Sequence, residues 1–256
     1  MEELFFECGS AFDGSMYHIN VCLESAIFAY TDELLTNHYV TEAVKTSLWT
    51  NVKQFFTKII LAMKDFIKEL QIKIEYAISE KQIRNKLTEL RQSIKDKKYE
   101  GAKSIEMIDY WEMKRTFTKY YDDLSKYAKK FSKVKYTKTW QIEDDLEEFD
   151  KMLNNCNREL ESISNKKISV SIEKALDFVE DEIRGKSEIF KSLNDSLRDF
   201  EEVQRNADNL KTKMTILGAD VIPKHVNFIQ KMINGISSFV RKWAVKIIMK
   251  VVFAFA

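Results

Sequence analysis

Residues 142–163 read IEDDLEEFDKMLNNCNRELESI. Apolar side chains fall at Ile142, Leu146, Phe149, Leu153, Cys156, Leu160 and Ile163, in steps of 4, 3, 4, 3, 4, 3. Such steps keep one side of an α-helix apolar for its whole length, whereas a half-buried strand would alternate every second residue. The segment therefore predicts a helix over 139–164 with a heptad seam of the kind that packs helices side by side.

The same spacing extends in both directions. Toward the amino end, Met113, Phe117, Tyr120, Leu124, Tyr127, Phe131 and Val134 predict a helix over about 104–132, and an earlier run from Leu48 to Ile94 predicts one over about 41–98. Toward the carboxyl end, Ile172, Leu176, Val179 and Ile183 are followed by a breach at Lys186, beside Gly185. The seam then resumes as Phe190, Leu193, Leu197, Phe200, Val203 and Ala207. A single helix over 170–218, bent at Gly185, is the expectation. SNKKIS at 164–169 reads as a linker, and no run reads as a strand. In LGADVIPK, Gly218 fits a helix end and Pro223 the first turn of the next helix.

Composition agrees. With 6 glycines and 1 proline in 256 residues, the chain has little of the chemistry of tight turns. It is 45% hydrophobic and 32% charged, so it has material for a core. The reading is an all-α protein: an elongated helical bundle with long antiparallel coiled-coil-like helices over 41–220, preceded by 1–40 as an irregular start plus a short helix, and followed by 221–256 as a basic amphipathic carboxyl-terminal helix.

Chemistry-bearing motifs are sparse. His18, His38 and His225 lie far apart, and Cys8, Cys22 and Cys156 form no CxxC pair or metal-type cluster. No glycine-rich phosphate loop, GxSxG or HExxH is present. These features predict no catalytic residue, cofactor, metal or small-molecule substrate. The start, MEELFFECGS, lacks the basic and apolar stretches of a signal peptide, and no apolar run reaches the roughly 18 residues of a spanning helix. A cytoplasmic location, or the inside of a virion, is expected.

Three charged segments remain. IEDDLEEFD at 142–150 reads as a solvated acidic face in the first turns of its helix. KYAKKFSKVKYTKTW at 126–140 carries Lys126, Lys129, Lys130, Lys133, Lys135 and Lys138 with no acid, interleaved with Tyr127, Phe131, Tyr136 and Trp140. Lysine attracts phosphate and aromatic rings stack on bases, so these lysines are candidate nucleic-acid contacts. Two of the aromatics also belong to the heptad seam.

The third segment, KHVNFIQKMINGISSFVRKWAVKIIMKVVF at 224–253, has six basic side chains and no acid. On a helical wheel Ile229, Ile233, Ile236, Val240 and Ile247 share one side, with Lys242 and Lys246 opposite. Those seven, with Trp243, are candidate contacts with a protein partner, a second copy of the chain, or a membrane interface. This stretch and SLWTNVKQFFTKIILAMKDFIKELQIKI at 47–74 resemble, in their aromatic and lysine texture, the helical segments of internal or scaffold-type virion proteins of tailed phages. That resemblance implies an all-α, non-enzymatic protein packed in the phage head or ejected with DNA. The leading expectation is a non-catalytic structural, assembly or interaction protein acting through apolar helix seams. The alternatives are a membrane-active helical protein, an α-pore former or membrane remodeller using the carboxyl-terminal helix, and nucleic-acid binding through 126–138.

Overall fold

The computed structural model describes residues 42–80, 83–212 and 221–252. The expectations for residues 1–40, for Gly218 and for the last four residues lie outside them. The described chain is an all-α helical bundle with one small sheet. Its elements, in order, are α1 (Glu42–Glu80), α2 (Ile83–Lys95), β1 (Ser104–Ile108), α3 (Tyr110–Phe131), α4 (Thr139–Ser164), β2 (Lys167–Ser171), α5 (Ile172–Ile183), α6 (Glu188–Thr212) and α7 (Val221–Val252).

The 139–164 helix has the expected bounds, and its seam residues Ile142, Phe149, Cys156, Leu160 and Ile163 are buried. The expected 170–218 helix is two helices. Gly185 has φ +61. The Lys186 N–H donates to the Asp181 carbonyl at 3.1 Å and the Gly185 N–H to the Glu182 carbonyl at 3.0 Å, which is a Schellman ending. The seam breach at Lys186 is thus a stop with a change of direction, and Ser187 Oγ accepts from the Phe190 N–H as α6 begins. The expected 41–98 helix is also described as two elements, α1 and α2.

The reading without strands is corrected. Ser104–Ile108 and Lys167–Ser171 pair antiparallel, with Ile105 opposite Val170 and Met107 opposite Ile168. Each strand puts an apolar residue inward at every second position, and five residues are too few for that alternation to stand out beside helical seams. Ser171 ends β2 and caps α5, its Oγ accepting from the Lys174 N–H.

Helix directions follow from the contacts between helices. Between α3 and α4, Tyr127 Oη donates to the Asp145 carbonyl at 2.7 Å, while Tyr120, a turn or two earlier, reaches Glu159. These two helices are antiparallel, as expected of neighbours joined by a short link. Between α4 and α7 the partners stay 81 to 86 residues apart from Glu143–Lys224 to Ser164–Lys250, so that pair is parallel. They pack closely at Gly235, where a Cβ would stand 3.0 Å from Leu153 Cδ2 and 3.1 Å from Phe149 Cε1.

Helix α7 is the bundle's inner helix. It packs against α3, α4, α5 and α6 and reaches α1 and β1. Phe228 and Phe239, which the wheel places on the polar side, are buried as well. A helix apolar nearly all round belongs inside a bundle, not on its surface.

Candidate interaction surface

The structure places Ile229, Ile233, Ile236, Val240, Trp243 and Ile247 at 0–1% exposure, inside the chain's own core. Their expected role as a free partner or membrane face is corrected accordingly. The missing acids of α7 are supplied from α4. Lys224 Nζ donates to Glu143 Oε1 at 2.8 Å and Lys246 Nζ to Glu161 Oε1 at 2.7 Å. Lys250 Nζ donates to the Ser164 carbonyl at 2.7 Å, at the end of α4. Trp243 Nε1 donates to Asn157 Oδ1 at 2.8 Å. Lys242 and Lys246 stand over the Trp243 ring, at 5.0 and 4.9 Å from its centroid. The ion pair with Lys246 holds the Glu161 carboxyl below its ordinary range. Lys242 is exposed, and Lys246 is half-buried.

The basic stretch is divided. Lys129 pairs with Asp199 and Glu202, and Lys133 with Glu202 at 3.0 Å. Lys126, Lys130, Lys135 and Lys138 are exposed. The aromatics that were to stack on bases mostly turn inward. Phe131 and Tyr136 are buried, and Tyr136 Oη donates to Asp145 Oδ2 at 2.5 Å. Trp140 alone of the four is exposed. Sequence alternation of lysine and aromatic residues here is the two sides of one chain, not one mixed surface.

Asp199, Glu182 and His225 lie in the interior, where they join helices. Asp199 on α6 accepts from Tyr121 Oη and Ser125 Oγ of α3, each at 2.5 Å, and pairs with Lys129. Burial pushes its carboxyl up, but these hydrogen bonds outweigh burial and hold it below its ordinary range. Glu182 at the end of α5 accepts from Tyr110 Oη of α3, and from Ser187 Oγ at 2.9 Å. Burial dominates there and pushes the carboxyl up to about 7. His225 Nε2 lies 3.0 Å from the Phe131 carbonyl at the end of α3, and as the N–H tautomer it donates to that carbonyl, which also accepts from the Val134 N–H at 3.3 Å. Burial pushes the His225 imidazole down to about 4.

The surface feature that stands apart is at the small sheet. Asp109 caps α3, its Oδ1 accepting from the Glu112 N–H at 3.0 Å. The cap sets the next residues: Tyr110 points inward, and Trp111 points out with 61% of its surface exposed. Lys114 Nζ lies 4.6 Å from the Trp111 ring centroid. Between Trp111, β2 and α5 runs an open groove of about 550 Å³, lined by Asp109, Trp111, Lys174, Phe178 and residues 168–171 of β2. Phe178 is itself braced by Tyr110, ring centroids 4.5 Å apart.

A larger hollow of about 620 Å³ lies between α1, α2 and α5. Of its charged lining, Arg184 pairs with Glu180 at 3.1 Å, and Glu180 also pairs with Arg91 at 2.6 Å. Among the described residues no group of three or more His, Cys, Asp and Glu side chains is arranged to hold a metal ion, and no helix is long and apolar enough to cross a membrane.

The groove residues were not singled out from sequence. The available signal was the alternation in KISVS and SIEMI, which marks a pair of strands, and a tryptophan directly behind an Asp cap. No family model, no curated protein and no solved structure matches the chain.

Proposed function

We propose that the protein is a non-catalytic interaction and assembly protein whose working surface is the Trp111 groove. The observation that carries this reading is the exposure of Trp111 at the wall of an open, largely apolar groove. A side chain of that size is normally covered, and a solvent-facing tryptophan next to an apolar hollow is the chemistry of a binding anchor. The interior helps to support it. Asp199, Glu182 and His225, the groups best able to move protons, spend their hydrogen bonds on joining helices. A virion setting, implied by the resemblance to internal and scaffold-type phage proteins, belongs to the same proposal.

The reading is tested by replacing Trp111 with the photo-crosslinker benzoylphenylalanine in the full chain, in cells that make it naturally. The same replacement at Leu61, which is 52% exposed on α1, serves as control. A discrete protein adduct at 111 and not at 61, identified by mass spectrometry, is expected. Equal labelling at both positions, or lipid adducts alone at 111, would overturn it.

A further inference from the structure

Resting on the interaction role just proposed, we infer that the outer edge of β2 accepts an extended polypeptide segment as a third strand. The segment presents apolar side chains to Trp111 and Phe178 and acidic ones to Lys167 and Lys174. The backbone defines the edge. The Ile172 N–H donates to the Lys103 carbonyl at 3.2 Å, in the same register as the sheet. Antiparallel pairs alternate between hydrogen-bonded and non-bonded, so residues 168 and 170 bond inward to β1. The N–H groups of Lys167, Ser169 and Ser171 and the C=O groups of Lys167 and Ser169 then point away from β1, while the Ser171 C=O starts α5; residues 168–171 also line the groove. A row of outward backbone donors and acceptors is a template for another strand. The groove is also lined by Trp111 and Phe178, and a narrow groove beside a strand admits one extended chain more readily than the broad surface of a folded copy.

The pleat fixes the partner's pattern. Ile168 and Val170 face the interior while Lys167, Ser169 and Ser171 are exposed. An added strand continues both faces, and its inward residues meet Phe178 and Trp111. The outward residues lie beside Lys167 on the strand and Lys174 on the groove wall. The acid of the lining, Asp109, is engaged as the α3 cap. Charge complementarity therefore selects acidic residues on the outward side.

The test uses the full chain and a displayed library of random decapeptides. Enriched peptides should alternate apolar with acidic residues. The best of them, synthesised, should bind at least tenfold more weakly to Trp111→Ala and to Ser169→Pro. Ser169→Pro deletes an outward N–H while leaving the inward pairing with β1, the position at which an edge strand tolerates proline. Amide exchange at Lys167, Ser169 and Ser171 should slow at least tenfold on binding. Should Ser169→Pro fail to fold, the same peptide N-methylated at alternate residues supplies the control on the unaltered protein, and one of its two methylation registers should abolish binding. A library that enriches nothing, or binding indifferent to both Ser169→Pro and N-methylation, would overturn strand addition. Crosslinks at 111 combined with that indifference would leave the interaction role standing and remove only the strand.

Discussion

Helix α7 and strand β2 make an instructive pair. The helix carries six basic side chains without an acid and an apolar face broad enough to suggest a membrane or a partner, yet it lies inside the bundle. The strand is five residues long, with Ile168 and Val170 as its only apolar members, yet it borders the open groove. Charge and amphipathicity were informative about each segment and misleading about its place, because place depends on what other segments supply. The acids that neutralise α7 sit 81 and 85 residues away on a parallel helix. Among the described residues, β2 pairs with β1 alone.

The sharpest way to break this comparison is to remove a tryptophan from each region. Trp243 is fully buried on α7, and Trp111 is mostly exposed beside β2. Trp243→Ala should lose about 3–5 kcal/mol of stability, a large share of what a domain holds. Trp111→Ala should stay within about 0.5 kcal/mol. Urea unfolding followed by circular dichroism compares them directly. Equal losses would mean that Trp111 holds up the fold and is not reserved for a partner.

The buried titrating groups sharpen the picture of the interior at somewhat smaller scale. Glu182 is raised from 4.5 to about 7. Its contribution is fully present below pH 4.5 and is lost as pH rises through 7, up to about 3 kcal/mol. His225 is lowered from 6.5 to about 4. Its contribution is present above pH 6.5 and is lost as pH falls through 4, again up to about 3 kcal/mol. Tyr110 and Phe131, their contacts on α3, are separated by about 31 Å of helix, so the two effects should add. In the wild type these two contributions oppose between pH 4.5 and 6.5 and should largely cancel each other there. Glu182→Gln should leave a profile that rises with pH, and His225→Gln one that falls. Denaturant titrations at several pH values read both, and a Glu182→Gln profile parallel to the wild type would mean that Glu182 is already ionised throughout that window.

The bundle was legible because a heptad seam is a local pattern, repeated often enough to average out exceptions. Ile142 to Ile163 fixed α4 without help from elsewhere, and the breach at Lys186 marked the end of α5 even though it reads as a bend. The sheet was not legible from spacing alone. Ile105 and Met107 precede the seam of α3 by one turn, and Ile168 and Val170 precede that of α5, so helical periodicity absorbs them. The burial of α7 was not legible for a different reason. A broad apolar face with lysines opposite has the same pattern whether the lysines face water, lipid or Glu143 and Glu161. The candidate groove combined both difficulties, since it needs the sheet to exist and Trp111 to be left uncovered.

The smallest expected effect tests how the lysines of α7 are neutralised. Lys246 and Glu161 form a 2.7 Å pair with side chains 27% and 48% exposed. Solvent screening at that exposure limits their coupling in a double-mutant cycle to less than about 1 kcal/mol, and added salt should shrink it further. Lys242 lies over the same Trp243 ring but is exposed, and Lys242→Ala should change stability by no more than about 0.5 kcal/mol. Coupling between Lys246 and Glu161 together with indifference at Lys242 would show that α4 neutralises α7 at particular pairs. Equal and salt-insensitive losses at both lysines would instead assign their effect to packing of the long side chains on Trp243, and the acids of α4 would then have no special relation to the helix beside them.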